Sequence, residues 1–205
     1  MLSLLLAHFL IVRLRHAHAT HFWLNEGWTT YIERLLLEKL HGPAERGFSY
    51  LIGSKALYDA LKLYDNQPRY QRLVIDFEPG EDPDDSYSRV PYDKGSNFLL
   101  HIGESLPLSS QRGQFSFIRY KERTLGGVDV FLPYINDYVS TFMGKSITTE
   151  QWKEHLYGFY QKTNPDKVKA LDTIDWNVSG LFFPREYHRD CILGMVLRGG
   201  YLSSC

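Results

Sequence analysis

The stretch that decides the fold is THFWLNEGWTTYIERLLLEKLHG, which runs from Thr20 to Gly42. Its apolar side chains recur at helical spacing between Leu24 and Leu40, and a Gly-Pro pair then ends the pattern. We therefore predict a helix here. Asn25 can cap its start, which places Glu26 in the first turn, where the helix dipole favours an anion. A carboxylate at this point is most often only a helix-start charge, and a role as metal ligand requires histidines that converge on it.

The remainder of the chain is predicted to be mostly helical, with a Pro-, Gly- and Asp-rich loop in the middle. The segment SITTEQWKEHLYGFYQ has a strong helix start, because Thr148 or Thr149 can cap it and Glu150 and Gln151 follow. The apolar run RLVIDF is a candidate strand or extended segment. We predict further helices over 48–63, 93–102, 128–142 and 146–161, the strand or extended segment at 72–77, and the loop at 78–92.

Net charge, cysteine content and the apolar start of the chain limit the partners and the cellular location that we expect. The 205 residues carry a net charge of −1, so we expect no nucleic-acid partner. The two cysteines, Cys191 and Cys205, form neither a disulfide framework nor a thiolate cluster, which favours a reducing, cytoplasmic location. The apolar run at residues 1–12 has signal-peptide length but is too short to span a bilayer, and no membrane partner is expected.

Four separated motifs, in one order, carry a family resemblance, and the last two, which include KSITT..W, lie within one stretch. HFWLNEGWTTYIERL begins at His21, SYSRVPYDKGSNFLLHI spans Ser86 to Ile102, and GGVDVFLPYINDYVSTFMGKSITTEQWKEHLYGFY spans Gly126 to Tyr160. Together they resemble the gluzincin zinc aminopeptidases, in the branch of leukotriene-A(4) hydrolase and the fungal leucine aminopeptidases. The resemblance implies a mainly α fold, namely the helical lower half of a thermolysin-like metallopeptidase catalytic domain with few short strands.

The resemblance also implies a chemistry and its residues. It implies a zinc metallo-aminopeptidase that cleaves N-terminal residues from peptides, in a branch that includes epoxide hydrolases. Glu26 matches the third zinc ligand, and Glu33, seven residues on, matches a carboxylate that orients a ligand histidine. Tyr92 matches the donor to the oxyanion of the tetrahedral intermediate, and Tyr87 lies in the same cleft. Asp84 matches the residue that orients water in the epoxide-hydrolysing relatives.

Each of these residues also has a plainer interpretation from its type alone. Glu33 can be a solvated charge paired with Arg34 or Lys39 on the helix surface. The two tyrosines can be ordinary loop residues, and an Asp within EDPDD is usually a loop acid.

The sequence departs from the family where the other two zinc ligands belong. The family's His-Glu-x-x-His helix would place histidines at positions 3 and 7 and the general base at position 4, whereas this chain has Ser3, Ala7 and Leu4. The nearby histidines do not form an i, i+4 pair around a glutamate, and the one in HFWLNEG is expected to be structural. A makeshift site from two of them requires a strand, where residues two apart share a face. These histidines are His8, His16, His18 and His21.

The resemblance suggests a domain plan with unmatched pieces. We expect residues 1–20 to be a foreign or signal-like start, 21–177 a partial catalytic domain with an insertion at 103–121, and 178–205 an unmatched tail. Two functions remain open: an aminopeptidase whose chain is incomplete, or an inactive family fragment that acts as a binding module or has no function. A secreted helical module, suggested by the Asn177-Val178-Ser179 triplet, is a third interpretation.

Overall fold

The computed structural model describes residues 15–103, 125–174 and 176, and it confirms a mainly helical fold. Short 3-10 turns lie at Ala19–His21, Pro68–Gln71 and Pro83–Ser86, and a π-helical turn spans Val90–Lys94. The regular elements are β1 (Arg15–His16), α1 (Trp23–His41), α2 (Pro43–Leu63), α3 (Gly95–Gly103), α4 (Val128–Phe142), β2 (Ser146–Ile147), α5 (Thr149–Thr163) and α6 (Asp166–Leu171).

Strand structure is limited to one short parallel pair within the described ranges. Arg15 of β1 pairs with Ser146 of β2, and His16 pairs with Ile147. The apolar run at 72–77 forms no strand: it bends at residues 72–74 and then has no regular structure, with Ile75 N–H donating to the carbonyl of Thr20 at 3.4 Å.

The core forms around the first two turns of α1. Trp23 and Trp28 are fully buried, and the Trp28 ring stacks on Tyr138 of α4 with ring centroids 4.8 Å apart. Trp23 meets Trp152 of α5 edge to face at 5.2 Å. Aromatic pairs in such geometries add to the free energy gained from area burial. The aromatic residues of HFWLNEGW therefore fix α1 against the C-terminal helices.

A glycine pair sets the crossing of α1 and α3. A Cβ atom placed on Gly95 would lie 2.9 Å from the Cα of Gly27, which real Cβ contacts do not allow. The two backbones can therefore approach only because neither residue has a side chain. The π-helical turn directly precedes Gly95, so this contact also holds Tyr92 beside the first turn of α1.

Some predicted helix ends are confirmed and others are wrong. Asn25 is not the cap of α1: the helix begins at Trp23, and the carbonyl of Asn25 accepts from the Thr29 hydroxyl at 2.8 Å. Packing of the preceding aromatic residues extends the helix beyond the point where a polar side chain could cap it. Glu26 does lie in the first turn, as predicted.

At the other end of the domain, the predicted capping box of α5 is confirmed. The Thr148 hydroxyl accepts from the backbone N–H of Gln151 at 3.3 Å, and the Gln151 side chain accepts from the backbone N–H of Thr148 at 3.0 Å. The second helix starts earlier than predicted, at Pro43 rather than Phe48, because proline is tolerated in the first turn.

Several expectations lie outside the described residues. They concern the start of the chain up to residue 14, the insertion beyond Gly103, and the tail with its cysteines and the Asn177 triplet. Among the described helices, none is both long and apolar enough to cross a membrane.

Candidate active site

A cavity of about 520 Å³ lies between α1, α2 and the π-helical turn, and we call it the α1–α2 cavity. Glu26 and Glu33 both line it, as their spacing of seven residues predicts for one helix face. Tyr92 and Arg89, from the π-helical turn and the residue before it, also line it. The full lining is Glu26, Thr29, Thr30, Glu33, Arg34, Leu37, Glu45, Phe48, Ser49, Ile52, Gly53, Arg89 and Tyr92.

Tyr92 lies between Tyr87, in the preceding loop, and Glu26, in the first turn of α1. Its hydroxyl lies 2.9 Å from the Tyr87 hydroxyl, and its ring meets Phe22 edge to face at 6.3 Å. Burial raises the pKa of Tyr92 far above its usual range, and hydrogen bonds to Tyr87 and Glu26 together with the Glu26 charge raise it further. The phenol is therefore protonated at neutral pH and can donate a hydrogen bond.

Glu33 is half-buried in the cavity rather than solvated on the helix surface. Burial raises the pKa of the Glu33 carboxyl, while the positive charges of Arg34 and Arg89 oppose that rise. The plainer interpretation paired Glu33 with Arg34, but the guanidinium of Arg34 forms its salt bridge with Asp93, at 2.6 Å.

A buried polar network holds the π-helical turn against α1. Asp93 is fully buried and pairs with Arg34, and it also accepts from Arg89 at 2.9 Å. Arg34 further donates to Ser96 and lies over the ring of Tyr50, 4.2 Å from its centroid. The sequence prediction missed this network, because Asp93 next to Tyr92 resembles an ordinary helix-start acid. Its one signal was a charged pair, Asp93 and Lys94, directly before an apolar helix.

Gly53 makes room for this network on the α2 side. A Cβ atom at position 53 would overlap both the Arg34 guanidinium and the Asp93 carboxylate. The ion pair therefore packs directly against the α2 backbone.

Asp84 and Tyr87 lie further out than Tyr92. Asp84 is on the exposed turn Pro83–Ser86 and is not part of the lining of the α1–α2 cavity. Its backbone N–H donates to the Asp82 side chain at 3.0 Å, which is a local turn interaction. The Tyr87 side chain is 64% exposed and is connected to the cavity through its hydroxyl contact with Tyr92.

His21 has a structural position, as expected. It is buried, and its Nδ1 accepts from the Thr149 hydroxyl at 3.0 Å and from the Thr149 backbone N–H at 3.3 Å. The same hydroxyl accepts from Trp23 Nε1 at 3.0 Å. These bonds join the start of α1 to the start of α5 and leave His21 turned toward the core.

The donor set does not fit a catalytic zinc ion. Within residues 15–103, 125–174 and 176, no group of three His, Cys, Asp or Glu side chains comes close enough together to hold a metal. The resemblance implies one ligand, Glu26, and the register that it implies places Ser3 and Ala7 where imidazoles are expected. A catalytic zinc site needs three protein ligands, so these residues supply too few.

Comparison with known proteins agrees with the motifs. Residues 15–112 match the model of the peptidase family M1 domain. Leucine aminopeptidase 2 of Aspergillus niger is 38% identical over 157 residues, which cover 77% of this chain and 22% of that protein. A leukotriene A-4 hydrolase homolog of Botryotinia fuckeliana is 38% identical over 159 residues, covering 77% of this chain and 21% of that protein.

A solved structure shows the same architecture. The structure of yeast LTA4 hydrolase in complex with bestatin superposes with a TM-score of 0.72 at 35% identity, covering 88% of this chain and 26% of that one. This chain belongs to the M1 peptidase family. As the motifs predicted, the M1 chain falls in the branch of leucine aminopeptidase 2 and LTA4 hydrolase. It spans about a fifth of the length of the curated relatives that it matches.

Proposed function

We propose that this M1 chain provides the carboxylate-and-tyrosine side of an aminopeptidase active site, and that by itself it binds peptides without hydrolysing them. The observation that carries the proposal is the convergence of Glu26, Glu33 and Tyr92 on one cavity, where the Glu26 carboxylate helps to raise the pKa of Tyr92. Cavities lined by apolar walls and a few convergent polar groups are the usual sites of small-ligand recognition.

We propose that Tyr92 recognises a peptide carbonyl by donating a hydrogen bond to it. A phenol that remains protonated at neutral pH can donate to a carbonyl oxygen, and more strongly to an oxyanion. The Tyr92 hydroxyl lies 2.9 Å from that of Tyr87 and close to the Glu26 carboxylate. Because a phenol has one proton, Tyr92 can donate to a peptide carbonyl only by giving up its donation to one of these groups. Tyr87 contacts Tyr92 through both its hydroxyl and its ring, which lie 2.9 Å and 6.2 Å from those of Tyr92.

The zinc chemistry that the resemblance implies does not follow from the residues of this chain. A lone carboxylate at Glu26 does not retain a catalytic metal, and Leu4 stands in the register of the general base. Loss of a general base alone costs about 10²–10⁴ in rate. These residues count against turnover, whereas the proposal of peptide binding rests on the cavity lined by Glu26, Glu33 and Tyr92.

The names of the relatives suggest the class of ligand. They are leucine aminopeptidases and leukotriene A-4 hydrolase homologs, so the ligand we propose is the N-terminal part of a peptide. The epoxide-hydrolase alternative receives less support, because Asp84 lies on an exposed turn outside the cavity.

A direct test uses the full chain and a fluorescent peptide with a free amino terminus. We expect saturable binding, weakened by Tyr92→Phe and by Glu26→Gln, and no hydrolysis of leucine anilide with or without added zinc. Glu154→Gln is the matched control, since Glu154 lies on α5 away from the cavity. Zinc-dependent turnover would overturn the binding-only proposal, and absence of peptide binding would favour a fragment without function.

A further inference from the structure

His155 of α5 packs against α4, and only 16% of its side chain is exposed. Its Nε2 atom lies 3.1 Å from a carboxylate oxygen of Asp137, on α4. A carboxylate only accepts hydrogen bonds, so in the neutral ring Nε2 carries the proton and Nδ1 carries a lone pair. The contact with Asp137 therefore fixes the tautomer of His155.

The other ring nitrogen, Nδ1, is buried and has no hydrogen-bond partner among the residues that the structure describes. The imidazole meets the ring of Phe142 edge to face, with centroids 4.8 Å apart, and lies 5.6 Å from the ring of Tyr134 and 6.3 Å from that of Tyr138. We call these three rings the aromatic pocket. Neither tyrosine hydroxyl bonds to Nδ1. A second proton on the imidazole would therefore bury an unpaired donor and a charge, which costs free energy.

The charged groups around His155 do not offset this cost. Burial lowers the pKa of His155, the Asp137 carboxylate opposes that shift, and the positive charge of Lys162 adds to it. Two further charged residues line the cavity beside His155, and their charges are opposite: Lys145 and Glu154. The neutral imidazole is thus the form that fits the packed contact between α4 and α5.

An open cavity beside His155 offers a charged imidazole access to water. This α4–α5 cavity has a volume of about 720 Å³, and His155, Asp137 and Gly158 all line it. A Cβ atom on Gly158 would meet no described atom within 4 Å, so the space next to that turn of α5 is open. A change of side-chain rotamer can therefore move the His155 ring from the aromatic pocket into the cavity.

We propose that His155 is an acid-sensitive contact between α4 and α5. Protonation moves its ring out of the aromatic pocket into the α4–α5 cavity and weakens the packing of α5 on α4. The change would reach α1 as well, because Trp152, one turn before His155, packs on Trp23 and Trp28. This inference concerns a different face of the molecule and does not depend on the proposed peptide binding.

The first measurement is nitrogen NMR of the full chain with ¹⁵N-labelled histidine, from about pH 8 to pH 4.5. The His155 signals are assigned by their loss in His155→Phe. We expect the Nε2–H tautomer at high pH. On acidification the imidazole protons should lose the ring-current shifts that the aromatic pocket imposes. The opposite tautomer, a protonated ring that retains these shifts, or a ring that stays neutral throughout would each overturn the proposal.

Hydrogen exchange measured by mass spectrometry then follows the helices. Between about pH 7 and pH 5, after correction for the intrinsic exchange rate, α4 and α5 should exchange about threefold to tenfold faster, and α2 should not change. His155→Phe retains an aromatic ring that cannot be protonated and should abolish this response. His41→Gln is the matched control, because His41 is an exposed histidine at the end of α1, and it should retain the response.

Two exchange results would contradict the acid-sensitive contact. One is equal acceleration in all helices, which would indicate global destabilisation instead of local release of α5. The other is a response that persists in His155→Phe. If that variant does not fold, the NMR titration of the wild-type chain still decides the matter, with the His155 signals then assigned through their contacts with Phe142.

Discussion

The guanidinium of Arg34 on α1 lies 2.6 Å from the carboxylate of Asp93, which directly follows Tyr92 in the chain. Both side chains are almost completely buried. Asp93 also pairs with Arg89 at the start of the π-helical turn, so one carboxylate both braces the turn internally and joins it to α1. The position of Tyr92 in the cavity therefore depends on this ion pair as well as on the glycine contact beside it.

Removing the Asp93 charge should destabilise the chain. Asp93→Asn leaves the buried Arg34 guanidinium without its counter-charge, and breaking such a pair from one side costs about 3 kcal/mol or more. Urea unfolding followed by circular dichroism measures this loss. The control is Asp59→Asn, which breaks the exposed Lys55–Asp59 pair and should cost less than about 1 kcal/mol. Equal effects of the two substitutions would contradict the structural role of the buried pair.

The glycine contact between α1 and α3 predicts that alanine substitutions at two helical glycines, Gly95 and Gly158, have opposite effects on stability. Gly95→Ala should lower the free energy of unfolding by about 1–3 kcal/mol, because the new methyl group would press on the Gly27 backbone. Gly158→Ala on α5 meets nothing within 4 Å and should stabilise the chain by about 0.5–1 kcal/mol. If Gly95→Ala were also stabilising, the close approach of the two helices would be wrong.

This difference illustrates which parts of the fold the sequence can predict. Helices α1, α4 and α5 follow from apolar spacing, and capping chemistry sets the start of α5; both act within a few residues. The contacts between Gly27 and Gly95, between Arg34 and Asp93, and between His21 and Thr149 join residues 59 or more positions apart. Local patterns contain no information about such pairs, so they could not be predicted.

Some residues of the candidate site could likewise be predicted from the sequence, and others could not. The resemblance implied a site of Glu26, Glu33, Tyr92, Tyr87 and Asp84. The first three line one cavity, Tyr87 and Asp84 do not, and the roles of all five stay predictions. The apolar wall from α2 was not predicted, because Phe48 and Ile52 are ordinary members of an amphipathic helix pattern until the cavity is seen. Asp84 could not be placed from sequence either, since an acid-rich turn offers several equivalent positions.

The raised pKa of Tyr92 predicts how its titration affects stability. Because the folded-state pKa lies above the unfolded value of about 10, the folded chain retains this proton longer and loses stability as pH rises above that value. Tyr92→Phe should therefore reduce the fall in unfolding free energy at alkaline pH. Unfolding in urea at several alkaline pH values measures the slope. An unchanged slope would contradict the environment assigned to this phenol.

The lowered pKa of Lys94 predicts that stability rises with pH, in a lower pH range than that in which Tyr92 makes it fall. Burial lowers the pKa of Lys94 to about 8, although its ammonium group donates to the Gln71 carbonyl at 2.6 Å. The unfolded chain, with a lysine pKa of about 10.4, binds more protons between these values, so this group makes stability rise with pH there. Lys94→Met should abolish that rise between about pH 8 and pH 10. The exposed Lys55→Met is the control and should leave the trend unchanged.

The most direct test of the central claim is zinc stoichiometry measured together with peptide binding on the same preparation. The full chain is equilibrated with excess zinc, dialysed, and analysed for metal by mass spectrometry and for peptide affinity by anisotropy. The account predicts far less than one zinc per chain, peptide binding that requires Tyr92, and no release of anilide. One zinc per chain, lost in Glu26→Gln and accompanied by turnover, would contradict it.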